Sequence, residues 1–253
     1  MRPHRVAGSV GALLLVWAGL SVVEPSMFPS PVTVFSTAYE FSVEGDVRGR
    51  SALWHLGLTL SRVLAATAVA MTLSVVLAVL MWTSPAVESV VSFWLPVWMT
   101  PPDIIVILIT MILLGFNATA VVVAVAFVYT PFGLVTVWEG MQDVDAGLVE
   151  MAEAFEAPGG LVWRRIYLPH LTSYVFSATR TVFGMTWKVA VIAEVLGIDA
   201  GVGAQIRFWY TQGEIAMVLA YTVLFVVVVL ALEYGALQPL QDRTLSWRQE
   251  QPG

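Results

Sequence analysis

Six mostly apolar stretches run through this chain, at about 6–23, 55–82, 87–114, 118–138, 174–196 and 215–237. A helix needs about 20 such residues to cross a hydrocarbon core roughly 30 Å thick. An open backbone cannot lie unsatisfied in lipid, so the stretches are read as helices. The expected class is all-α: a polytopic membrane protein with about six transmembrane helices. Composition agrees, since 58% of the 253 residues are hydrophobic and only 12% charged, about half the charge of an ordinary soluble chain. One membrane domain accounts for residues 1–253, with a core at about 55–238 and an extra N-terminal span at about 6–23. That first span, preceded by Arg2, His4 and Arg5, has the look of a signal peptide. No clear small-x-small cleavage site follows it and further spans do, so it is expected to be retained. The chain has no cysteine, which excludes disulfides and thiolate metal sites. His4, His55 and His170 are too scattered for a metal cluster, and no acid/base constellation suggests catalysis.

Lysine and arginine placement orients the spans. With the N-terminus inside, Arg2, Arg5, Arg164, Arg165, Arg243 and Arg248 are cytosolic, and Arg48, Arg50 and Arg207 are outside. This excess obeys the positive-inside rule. Both termini and the interval 139–172 are then cytosolic, and the connectors 24–53 and 197–214 face out. The plasma membrane is the expected location.

The interval 139–172 is amphipathic. After Asp143 and Asp145, Val144, Leu148, Met151/Ala152 and Phe155 recur at helical spacing, while Glu150, Glu153 and Glu156 lie on another side. Acids crowd the first turns, where the helix dipole favours them. Pro158-Gly159-Gly160 is expected to break the helix. A second short helix then runs from about Leu161, with Trp163, Ile166 and Tyr167 apolar and Arg164-Arg165 basic, to Pro169. A loop resting on lipid headgroups is one reading. Its first half is acidic, however, and anionic headgroups repel it, which favours a docking helix for a protein partner.

These residues resemble the EAA signature of binding-protein-dependent ABC importer permeases: Glu-Ala-Ala, three residues, Gly, nine residues, Ile-x-Leu-Pro. Glu150 and Ala152 hold the first and third positions, and Ile166, Leu168 and Pro169 hold the end at the same spacing. Met151 replaces the first Ala, and Glu156 stands in place of Gly, so the tight turn is expected to move to Pro158-Gly159-Gly160. Phe28-Pro29-Ser30-Pro31, His55 with Thr59-Leu60-Ser61-Arg62-Val63, Gly184-Met185-Thr186-Trp187, Ala193-Glu194 and Gly201-Val202-Gly203 look like the nitrate/sulfonate/taurine branch. That branch also includes permeases for pyrimidine vitamin precursors and riboflavin. The likeness runs from about residue 28 to 240.

The resemblance implies a type I importer permease fold and a transport subunit that is not an enzyme. Two copies of the permease pair in the membrane, two cytosolic ATPase subunits use ATP and Mg, and an extracytoplasmic binding protein delivers the solute. The ATPase would cradle Glu150, Ala152, Glu153, Phe155, Glu156, Ile166, Leu168 and Pro169. No G-x-x-x-x-G-K-[ST] loop occurs here, so nucleotide chemistry belongs to another chain. Beyond these partners the chain meets membrane lipid, and nothing points to nucleic acid.

Arg62, Arg180, Lys188 and Glu194 lie in or near the spans, where charge is costly and must face protein or water. They can form a cationic path for an anion, or Arg62 and Arg180 can snorkel or bind carbonyls and partner acids. Trp98 and Trp187 can line the path, though Trp94 and Trp98 also suit a membrane interface. Pro96, Pro101 and Pro102 should kink or break the third span, and a broken helix frees backbone groups to face a cavity. The solute-path residues are therefore Trp98, Pro101, Pro102, Arg180, Trp187, Lys188 and Glu194. The residues leave open an ion-gradient-driven secondary transporter, an ABC permease for a vitamin precursor, and a non-transporting membrane anchor.

Overall fold

The computed structural model describes residues 3–25, 27–44 and 49–239. Of the arginines that orient the spans, Arg2, Arg48, Arg243 and Arg248 lie outside the described residues. All the regular structure described is helical. The elements are α1 (Pro3–Val23), α2 (Pro31–Glu44), α3 (Ala52–Thr83), α4 (Pro85–Met99), α5 (Asp103–Leu114), α6 (Ala118–Gln142), α7 (Ala146–Ala154), α8 (Gly159–Val162), α9 (Leu168–Gly197), α10 (Val202–Gln212) and α11 (Ile215–Leu232). Two π turns, Trp163–Tyr167 and Glu233–Leu237, precede α9 and follow α11.

The helix α3, the helix α6 and the stretch Ile215–Gly235 are each long and apolar enough to cross a membrane. Two bent pairs meet the same test together: α4 with α5, at 99°, and Gly159–Gly197 with α10, at 49°. Gly11–Val23 is a shorter apolar helix. The first pair covers the residues of the expected third span. Its break falls at Thr100–Pro102, where two successive prolines remove the backbone donors a continuous helix needs. Pro96 sits inside α4 without ending it.

The chain divides into two compact units, and α3, α9 and α11 each pass from one into the other. The first holds the chain up to Thr59 and Glu194–Ala231. Both intervals read as connectors carry helices there. Pro31 opens α2 with its φ already helical, and the Ser30 hydroxyl accepts the Thr33 N–H at 3.1 Å. Val34 and Ala38, one turn apart, pack on Ala220 with Trp17, Val223 and Leu224 around them. A second cluster joins Ala52, Met217 and Tyr221 to Phe41, Ile206 and Trp209. α2 and α10 are too short for a hydropathy window tuned to spans, which is why they read as loops.

The second unit holds Leu60–Ala193 and, among the described residues, 232–239. Its centre is α6, from Ala120 to Met141 the most continuously buried helix. Gly133 admits α3: a Cβ there would lie 2.5 Å from the Ser74 hydroxyl, which itself donates to the Thr130 carbonyl at 2.7 Å. Gly140 admits the Tyr174 ring of α9 in the same way.

Candidate functional site

Helix α7 follows α6 after three residues and is capped at both ends. The Asp145 carboxylate accepts the Gly147 N–H at 2.8 Å, the arrangement that acids favour at a helix start. At the other end Glu156 has φ +49°. Its N–H reaches the Glu153 carbonyl at 2.9 Å, and the Ala157 N–H reaches the Ala152 carbonyl, also at 2.9 Å. This bond pair with a left-handed residue between is a Schellman stop. The turn therefore stays at Glu156, the expected glycine position. The expectation that it moves to Pro158-Gly159-Gly160 is overturned, because Gly159 and Gly160 begin α8.

The second short helix does not stop at Pro169 either. It passes through the π turn Trp163–Tyr167 straight into α9. Proline lacks an N–H and its ring crowds the carbonyl four residues back. Bonding the Leu168 N–H to the Trp163 carbonyl, five residues back, opens the helix just before the proline and lets the chain continue. The returning limb is held by rings: Trp163 stacks on Tyr167 at 5.3 Å, Tyr167 meets Trp82 edge-on at 5.5 Å, and Trp82 meets Trp138 at 6.2 Å. The Tyr174 hydroxyl bonds the Asp143 carboxylate, tying the end of α6 to α9.

Within this frame α7 itself buries nothing. Leu148, Met151 and Phe155 of the expected apolar row are exposed, Phe155 by 81%. Val144 and Ala152 are partly covered, and Glu150, Glu153 and Glu156 stand in the open. On the return limb Leu161, Arg164, Arg165, Leu168 and Pro169 are exposed and Ile166 is half-buried. α7 thus carries a cap at each end and an uncovered apolar row.

Of the solute-path residues, Glu194 is fully buried. Its carboxylate accepts from the Thr59 hydroxyl at 2.8 Å and from the Gly203 N–H at 3.0 Å. The Thr59 hydroxyl in turn accepts the Val202 N–H at 2.9 Å, and His55 Nδ1 accepts the Gly201 N–H at 3.2 Å. Three successive donors at the start of α10 are thus met by three side chains, with the acid on the positive end of the helix dipole. His55 and Thr59 are four residues apart on α3, hence on one face. Gly201, at φ +124°, cannot be replaced cheaply, since its Cβ would collide with the Glu194 carboxylate. Arg207 of α10 returns the contact, donating to the Val195 and Ile198 carbonyls at 3.2 and 2.9 Å, where α9 ends. The spacing of Glu194 and Gly201-Val202-Gly203 was visible in the sequence, but not the clasp they form.

Arg180 pairs with Glu233, its Nε and Nη2 donating to one carboxylate oxygen at 2.9 and 2.7 Å. Glu233 escaped the sequence reading because it sits at the end of an apolar run with nothing nearby to mark it. Trp98 tilts against Phe127 at 5.0 Å, and its indole N–H is buried without a partner among the described residues. Pro101 and Pro102 are exposed at the α4/α5 bend, Trp187 is half-buried and Lys188 is exposed. Arg62 is buried.

The profile of the family described as binding-protein-dependent transport system inner membrane component matches residues 70–246. The putative aliphatic sulfonates transport permease protein SsuC of Bacillus subtilis (strain 168) is 25% identical over 245 residues, 95% of this chain and 86% of that protein. The taurine transport system permease protein TauC of Escherichia coli (strain K12) is 22% identical over 250 residues, 96% of this chain and 89% of that one. Among solved structures, an amino acid ABC transporter with histidines aligns with a TM-score of 0.65 at 21% identity, covering 76% of this chain and 93% of that chain. The inward-facing MetNI methionine ABC transporter aligns with a TM-score of 0.66 at 16% identity, covering 76% and 95%. At these identities the structures speak for the fold.

Proposed function

This chain belongs to the family of binding-protein-dependent transport system inner membrane components, and from that premise we propose that it is the membrane subunit of an ATP-driven importer for a small sulfonate or related oxyanion. The observation that carries the reading is α7: a helix stopped at both ends, with no buried residue and its Leu148, Met151 and Phe155 row exposed. In this proposal a cytosolic ATPase subunit covers that row, and two ATPases drive a pair of permease copies surrounded by lipid. ATP and Mg are handled by the ATPase. An extracytoplasmic binding protein brings the solute. Both chain termini and α7 then lie in the cytosol.

The frame explains how a push on α7 travels. On one side only three residues separate α7 from the end of α6, and on the other α8 and the π turn lead from it into α9. Displacing α7 therefore moves two long helices as rigid bodies, the form of motion that packed helices allow. Names of relatives that refer to aliphatic sulfonates and taurine support a sulfonate as solute.

Reconstitution of the permease with an ATPase and binding protein encoded beside it tests the reading. Binding-protein-stimulated ATP hydrolysis is expected to fall about tenfold or more in Phe155→Asp and in Glu150→Arg, the loss usual when an interface anchor is removed. Uptake that runs on an ion gradient with no ATPase present would replace this reading with a secondary transporter. Stimulation by a binding protein loaded with a neutral vitamin precursor would keep the importer and change the solute.

A further inference from the structure

Helix α9 turns an unusual face outward. Its buried side is Ala178, Val182, Phe183, Val189, Ala190 and Ala193. Ser177, Thr181 and Lys188 are exposed on the other side, with Gly184 between them and the apolar Ile192 exposed one turn beyond. The spacings of four, three and four residues place all four on one stripe. The outward rows of other spanning segments are different: Leu64, Leu73, Val76 and Leu80 dominate on α3, and Val226, Val227 and Leu230 on α11. Those rows suit lipid and the α9 stripe does not.

Lys188 sharpens the contrast. It is the only lysine in the chain. Among the described residues no carboxylate pairs with it, and its ammonium lies 5.8 Å from the centroid of the neighbouring Trp187 ring, near the outer limit of a cation–π contact. It stands nine residues before the Gly197 end of α9, about 13 Å along the axis at 1.5 Å per residue. Within the expected span 174–196 it lies eight residues from the outer end, about 12 Å along the axis, farther than its stem reaches by snorkelling. A bare ammonium at this depth must face water or an anion, since hydrocarbon offers neither. The space in front of the stripe is open: a Cβ added at Gly184 meets nothing within 4 Å.

We infer that the Ser177–Thr181–Gly184–Lys188 face of α9 lines the aqueous solute route, and that Lys188 is the site where a small oxyanion, a sulfonate or carboxylate, is drawn in and briefly held. This rests on the chain being the solute-conducting subunit. Thr181 and Ser177 add hydroxyl donors about 10 and 16 Å further along the axis, so the anion meets a charge first and weaker neutral donors after it. A single mid-route cation speeds entry of anions without trapping them.

The absence of native cysteine makes a direct test available. In proteoliposomes holding the complete transporter, Gly184→Cys is reacted with two methanethiosulfonate reagents of similar size, one carrying a sulfonate and the other a trimethylammonium group. Modification of this chain is followed by mass. Each rate is divided by that reagent's rate with a free thiol, because the thiolate itself favours the cationic reagent; on that scale the sulfonate reagent is expected to react about tenfold faster, because Lys188 lies one turn away and raises the local anion concentration. Lys188→Met should bring the two rates to about equal, and Lys188→Arg should preserve the preference. If neither reagent reaches Cys at 184 in any nucleotide state, or if Lys188→Met leaves the ratio unchanged, the inference falls. Binding-protein-stimulated ATP hydrolysis in the same preparation reports the coupling role of α7 separately.

Discussion

Two residues show how single side chains carry the local geometry. Glu156 holds a left-handed backbone at φ +49°, which costs a residue with a Cβ about 1–2 kcal/mol. Glu156→Gly is therefore expected to tighten the end of α7 by about 1 kcal/mol and to slow proteolytic cleavage between 154 and 158, while Glu156→Val should speed it. Hydrolysis coupling should survive in the glycine variant. Gly201 is the opposite case, a glycine with no alternative. Gly201→Ala drives a methyl into the Glu194 carboxylate and keeps φ at +124°; a loss of roughly 2–3 kcal/mol is expected, read as a lower melting temperature of the purified protein. Glu194→Ala should cost a similar amount, about 1–3 kcal/mol, by leaving the Gly203 N–H unmet, while the Thr59 hydroxyl keeps the His55 carbonyl at 3.2 Å. The two losses should not add, because both act on one clasp.

Helices and turns decide how those residues are aimed. The π turn before Pro169 sets the azimuth of α8 relative to α9, since one extra residue per turn rotates everything on its N-terminal side. Pro169→Ala removes the reason for the wide turn and lets the helix return to four-residue bonding. The expected outcome is a well-folded transporter whose ATP hydrolysis is no longer stimulated by the loaded binding protein; unchanged stimulation would show that the turn is not part of the linkage. The α4/α5 break has a simpler origin, since its two prolines are adjacent and the helix has no donors to bridge them. That break was plain in the sequence. The continuation through Pro169 was not, because a proline read alone marks an end, and only the shift in bonding partner reveals that the helix goes on.

At the scale of the whole molecule, sidedness joins the pieces. A thiol reagent that cannot cross membranes is expected to modify Phe155→Cys in inside-out vesicles and Tyr210→Cys in right-side-out vesicles. Reaction of both from one side would invalidate the proposed orientation. Fold class, the spans at α3, α6 and Ile215–Gly235 and the amphipathic 143–156 interval were readable from periodicity and apolar length, because the bilayer imposes those patterns on any helix that crosses it or lies beside it. The EAA spacing likewise survives in plain view, since Glu150, Ala152, Ile166, Leu168 and Pro169 keep their intervals along the chain. The pairing of charges was hidden. Glu194 meets Thr59 across 135 residues, and Arg180 meets Glu233 across 53. Nothing in the order of residues says which buried acid reaches which donor. Hydrogen bonds form over about 3 Å, and only packing brings groups so far apart in the chain within that distance.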